Sequence, residues 1–132
     1  MVKKILVVDD ELHIRTFITT LLETSGFKPL PAEDGVQGLE LARKHKPSLI
    51  IMDIMMPKES GIEMYREIKT DPALKSIPVI ILSAVSHKTF LHSQTVLDKY
   101  KGESIPEPAD YIEKPAESDE LLESVQKSLK ET

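Results

Sequence analysis

Three acids in a row, Asp9, Asp10 and Glu11, follow directly on the apolar run from Ile5 to Val8. Asp53 follows a second run, Leu49 to Met52, in the same way. Ser83 and Ala84 follow a third, Val79 to Leu82, and Lys114 stands before Pro115 late in the chain. If these positions meet, Asp9, Asp10 and Asp53 form a cluster of repelling carboxylates, in which one stays protonated or a cation neutralises the group. Donors that are all oxygen, with no His or Cys, select a hard ion, Mg²⁺ with retained waters foremost. A carboxylate can also attack phosphorus and form an aspartyl-phosphate. A metal and a lysine would then supply the charge neutralisation and positioning that phosphoryl transfer needs. Taken singly, each residue has an ordinary explanation. Strand-end aspartates cap helices, a serine after a strand forms a turn, and Lys-Pro is a common dipeptide. The chemical reading rests on four strand ends carrying the right groups together.

The elements that must position them follow from hydrophobic periodicity. The three four-residue runs are rich in Ile and Val and suit strands buried on both faces of a parallel sheet. Between them the period changes: Ile14, Phe17, Ile18, Leu21 and Leu22 share one helix face, and Gly26 stops that helix. Asp34 can cap a second helix through Val36, Leu39 and Ala42. Ser60 and Glu63 form a capping box for a third helix carrying Ile62, Tyr65 and Ile68. Leu121, Leu122, Val125 and Leu129 mark a last helix. Strand and helix alternate about five times, which implies parallel strands with right-handed crossovers. The second strand, around Phe27 to Pro31, carries Pro29 and Pro31 and belongs at an edge, since proline cannot donate to a central ladder. The predicted fold is therefore an α/β, flavodoxin-like, doubly wound parallel sheet of order 2-1-3-4-5. In that order the ends of strands 1, 3, 4 and 5 converge on one pocket. The stretch between Ser83 and Lys114 is longer than a minimal helix and strand require. It predicts a weakly patterned helix over roughly 88–100 and an extended loop over 101–108 before the fifth strand.

The chain has 132 residues, which favours one domain spanning 1–132. It has no cysteine, so disulfides, thiolate metal sites and thiol nucleophiles are excluded. No apolar run reaches membrane-span length and the N-terminus lacks a signal-peptide pattern, so a cytoplasmic protein without membrane insertion is expected. A formal net charge of -5 argues against nucleic acid as a direct partner. His13, His45, His87 and His92 share no ligand spacing and are expected at the surface.

The set ILVVDDE, AEDGVQGLELA, DIMMPKESG, PVIILSA and ADYIEKP, in this order, resembles the receiver domain of bacterial two-component response regulators over essentially the whole chain. The resemblance implies a domain that takes a phosphoryl group from a sensor histidine kinase or phosphotransfer protein and switches partner binding, catalysing only its own phosphorylation and dephosphorylation. Asp53 matches the phosphoacceptor. Asp9, Asp10, Asp53 and the backbone carbonyl of Met55 match the ligands of Mg²⁺, for which Mn²⁺ is a plausible substitute. Lys114 matches the lysine that pairs with the phosphoryl oxygens, and Pro115 the proline that often follows a cis peptide. Ser83 and Tyr111 match the switch pair, Ala84 the small residue at the pocket mouth, and Gly61 the turn after the acceptor loop. The implied output is an unnamed protein target on the face of helix 4, strand 5 and helix 5, where the long stretch before strand 5 departs from the usual pattern.

Met55 and Val85, two residues past the acceptor and the switch serine, are both apolar, so slow loss of the phosphoryl group is expected. The alternative is a pseudo-receiver, a protein-binding module that never carries phosphate, but such domains typically lose an acid or the lysine. A flavin protein would need a donor-rich loop in place of Asp9-Asp10-Glu11. An aspartyl-phosphate hydrolase would want an acid at Met55. The chain stops at Thr132 soon after the last predicted helix, which fits a stand-alone domain and a piece of a longer protein alike.

Overall fold

The computed structural model describes residues 2–56 and 61–130. Five strands, β1 (Lys4–Val8), β2 (Lys28–Ala32), β3 (Leu49–Met52), β4 (Val79–Ser83) and β5 (Asp110–Glu113), alternate with five helices. These are α1 (Leu12–Thr24), α2 (Gly35–His45), α3 (Gly61–Thr70), α4 (His87–Lys101) and α5 (Ser118–Lys130). The strands are all parallel and lie in the order β2-β1-β3-β4-β5. β2 is an edge, with Pro29 beside Ile5 and Pro31 beside Val7, as the prolines require.

The alternation of side chains along each strand divides the core into two layers. Leu6, Val8, Ile50, Met52, Val79 and Ile81 face α2, α3 and α4, where Leu39, Met64, Tyr65, Ile68 and Phe90 cover them. Ile5, Val7, Leu49, Ile51, Ile80, Leu82 and Ile112 face α1 and α5, under Ile18, Leu22, Leu121 and Val125. Both faces of the sheet are buried, which explains why the strands read as solid apolar runs rather than alternating ones.

Local signals set the helix ends. Gly26 has φ 91° just past the end of α1, a conformation that favours glycine. The Asp34 side chain accepts the Gln37 N–H at 2.9 Å and caps α2. Ser86 caps α4 by accepting the Thr89 N–H at 3.1 Å, a cap the periodicity did not reveal. The Ser60 half of the expected capping box lies outside the described residues. Two apolar residues expected on buried helix faces are exposed instead, Phe17 at 39% and Val36 at 48%.

The segment before β5 is more helical than expected. α4 runs from His87 to Lys101 and buries only Phe90 and Gln94, hence its weak pattern. Gly102, in the left-handed region, ends it, so Lys101 belongs to the helix rather than to the loop. The connection 102–109 is tied down at several points. Tyr65 donates its hydroxyl to the Pro106 carbonyl at 2.6 Å, and the Ala109 N–H reaches the Val79 carbonyl at 2.8 Å. The Ile105 N–H reaches Asp98, which also accepts Arg66 at 2.9 Å.

Candidate functional site

The carboxyl ends of β1, β3, β4 and β5 bring Asp9, Asp53, Ser83 and Lys114 to one edge of the sheet. Asp53 follows β3 directly, and its backbone N–H continues the ladder to the Val8 carbonyl at 3.0 Å. Its carboxylate accepts the Met55 N–H at 3.0 Å through Oδ1 and the Lys114 ammonium at 2.9 Å through Oδ2. Asp9 accepts the Glu11 N–H at 2.9 Å and the same ammonium at 3.0 Å. Lys114 therefore bridges two carboxylates that are 1% and 4% exposed. Asp10 is exposed beside them, and carboxylate oxygens of Asp9, Asp10 and Asp53 all lie within 4.8 Å of one another.

The electrostatics follow from that crowding. Burial pushes the Asp9 carboxyl above the usual carboxylate range, against the pull of the Glu11 N–H and the Lys114 ammonium. Burial alone would lower Lys114, but its bonds to Asp53 and Asp9 outweigh it and hold the group above the ordinary lysine value. Three formal carboxylates against one ammonium leave two negative charges uncompensated, the charge of one divalent cation. The donors are all oxygen. Charge, spacing and ligand type thus fit a hard divalent ion.

α3 begins hard against the backbone of Asp53 and Ile54. A Cβ on Gly61 would run into the Asp53 carbonyl and the Ile54 Cα, so only glycine lets α3 start against the acid's backbone. The Lys114–Pro115 peptide is cis.

Ser83 is fully buried, and its hydroxyl accepts the Val85 N–H at 3.2 Å. The Val85 carbonyl in turn accepts the Tyr111 hydroxyl at 2.6 Å. One residue's backbone therefore joins Ser83 to Tyr111. The Tyr111 ring packs on Phe90 at 5.3 Å and stacks on His87 at 4.7 Å. Burial pushes its phenol up to about 12, with Glu113 adding to the shift and Ser83 opposing it. His87 is thus half-buried against Tyr111 and His45 is also half-buried, whereas His13 and His92 are exposed as expected. Among the described residues no histidine joins the acidic cluster. Met55 is 63% exposed beside the acceptor, and Ala84 is exposed at the mouth.

One participant was not legible beforehand. Arg15 donates Nη1–H to the Asp9 carbonyl at 2.8 Å. The available signal was directional: helical side chains lean toward the N-terminus, so a long residue in the first turns of α1 can reach back over the acidic loop.

A doubly wound parallel sheet with acids and a lysine converging beyond its carboxyl edge defines the class, a flavodoxin-like α/β domain. The chain belongs to the response regulator receiver domain family, whose model matches residues 5–126. The polar-differentiation response regulator DivK of Brucella anthropi is 40% identical over 89 residues, 67% of this chain and 72% of that protein. A response regulator receiver domain protein from Clostridium thermocellum superposes with a TM-score of 0.77 at 30% identity, over 98% of this chain and 96% of that one. The chemotaxis response regulator CheY4 of Vibrio cholerae superposes with a TM-score of 0.82 over 97% and 99%, a likeness of fold at 23% identity. The protein is a receiver domain of two-component signalling. No helix among the described residues is long and apolar enough to cross a membrane.

Proposed function

We propose that Asp53 accepts a phosphoryl group from the phosphohistidine of a sensor kinase or phosphotransfer protein, in a Mg²⁺-dependent reaction that the domain catalyses only upon itself. The observation that carries this is the Lys114 ammonium bridging Asp53 and Asp9 at 2.9 and 3.0 Å, inside a three-carboxylate cluster. Asp9, Asp10 and Asp53, with the Met55 carbonyl, would hold the metal. When bound it supplies neutralisation of the charge that builds on the phosphoryl oxygens. The chain's own residues do the rest. A carboxylate oxygen of Asp53 forms the new O–P bond as the donor's P–N bond breaks, and the departing imidazole keeps the electron pair. The Met55 N–H and Lys114 fix the orientation of the attacking carboxylate. Lys114 then has a phosphoryl oxygen to bind in place of a bare carboxylate.

The switch follows from the shared backbone of Val85. If the Ser83 hydroxyl turns toward the phosphoryl group, it releases the Val85 N–H, and the Val85 carbonyl that holds Tyr111 moves with it. Charge-assisted hydrogen bonds contribute about 1.5–3 kcal/mol each, so two of them approach the ~5.5 kcal/mol that a nearly complete population swing needs. The change leaves through α4, β5 and α5, the face offered to a protein target in the cytoplasm.

Incubation with Mg²⁺ and acetyl phosphate should add about 80 Da, one phosphoryl group, as read by mass spectrometry. The adduct should be absent without divalent metal and absent in Asp53→Ala. An adduct unchanged in Asp53→Ala would overturn the assignment, and no adduct with the wild type would favour the pseudo-receiver. Because Met55 and Val85 offer no polar group to orient water, the adduct should persist in Mg²⁺, and a half-life of seconds would contradict that part.

A further inference from the structure

We propose that Arg15 is a positioning residue for the divalent-cation site, acting by fixing the peptide plane between Asp9 and Asp10. The inference rests on the acidic cluster being the metal site proposed above. The two Asp9 carboxylate oxygens are already placed, one by the Glu11 N–H and one by Lys114. Asp10 differs: its side chain is exposed, and among the described residues no hydrogen bond or ion pair holds it. Its direction is therefore set by its backbone. That backbone is held on either side of Asp9. The Asp9 N–H reaches the Ala32 carbonyl at 3.1 Å, and the Asp9 carbonyl accepts Arg15 Nη1–H at 2.8 Å.

Two further observations make Arg15 the tie. Glu11 is the N-cap of α1 and makes no side-chain cap, so Arg15 is the α1 side chain seen, among the described residues, to tie the backbone of the acidic loop. The other guanidinium nitrogen, Nη2, lies 3.8 Å from Glu33 on the connection after β2, and the Arg15 side chain is only 13% exposed. A planar fork of this kind presents its donors in one fixed geometry, which a lysine's flexible point charge does not reproduce.

Charge and positioning make opposite predictions here. A guanidinium near a dication repels it, so Coulomb's law alone predicts tighter metal binding when Arg15 is removed. Loss of an outer partner that orients ligands instead weakens metal binding, commonly by about 10–100-fold. The bond is to a ligand residue's carbonyl rather than to a ligating atom, so the lower end applies.

Mg²⁺ affinity is measured by titration calorimetry on the wild type, R15M, R15K and E33Q, with far-UV circular dichroism to confirm folding. R15M should raise the dissociation constant about tenfold. R15K should give a smaller loss in the same direction, and E33Q a smaller loss still, because that ion pair is long and exposed on the Glu33 side. In parallel, the Mg²⁺ concentration for half-maximal labelling by acetyl phosphate should rise in R15M while the rate at saturating Mg²⁺ returns to the wild-type level. A general structural role would not split the two. An R15M affinity equal to or tighter than that of the wild type overturns the inference. If R15M does not fold, R15K decides it by the same criterion. A wild type that binds no Mg²⁺ overturns the phosphoacceptor reading, and this inference with it.

Discussion

Lys114 is the residue on which the site balances. It is one cation between two buried acids, and removing it leaves both carboxylates without a counter-charge. Lys114→Met should destabilise the metal-free protein by about 3 kcal/mol in urea unfolding, with much of the loss recovered in Mg²⁺. Asp9 should behave oppositely. Its carboxyl is pushed up by burial, so its charged form is disfavoured in the folded protein. Asp9→Asn should therefore raise the melting temperature without metal and abolish the further rise that Mg²⁺ gives the wild type, as read by calorimetry. The alkaline limb has a definite sign. Lys114 is raised in the fold, so its stabilisation is complete below about pH 10.5, its unfolded value, and is lost as pH climbs through the folded one. Tyr111 moves from 10 to about 12, so the unfolded chain ionises first and stability falls across that interval. The metal-free protein should lose stability from about pH 10 upward, less steeply in Tyr111→Phe. Denaturant midpoints that stay flat to pH 12 would contradict both assignments.

At the scale of elements, the strands were legible because each is buried on both faces and so is written in Ile and Val without interruption. The edge position of β2 was legible because Pro29 and Pro31 cannot serve a central ladder. α4 was harder, since it buries little more than Phe90 and Gln94 and has almost no stripe to read. Besides Phe90, what holds it is polar and non-local, and spacing alone does not show such contacts. Arg66 on α3 is 4% exposed, pairs with Asp98 on α4, and keeps Nε and Nη2 without a partner among the described residues. Asp98→Ala should cost about 2 kcal/mol by leaving that guanidinium more poorly satisfied. An Arg66→Met, Asp98→Leu pair should lie closer to the wild type, because it removes the buried guanidinium together with its half-buried partner. Urea midpoints for the two variants check this, and equal losses would contradict it. Arg15 escaped notice for a different reason from Arg66: its partner is a backbone carbonyl, and no residue type announces one.

For the whole molecule, the doubly wound topology is what makes four ordinary residues into one site. Asp9, Asp53, Ser83 and Lys114 are separated along the chain and meet only because β1, β3, β4 and β5 are consecutive in the sheet. The same arrangement places the site beside α4 and β5, so that a change at Ser83 is one residue away from the hydroxyl of Tyr111. The most direct test is chemical trapping of the phosphorylated residue. The protein is treated with acetyl phosphate and Mg²⁺, reduced with borohydride, which converts an aspartyl-phosphate to homoserine, and mapped by peptide mass spectrometry. Conversion at Asp53, and its loss when Mg²⁺ is withheld, is the predicted result; conversion at another acid, or none with the wild type in Mg²⁺, would contradict the account.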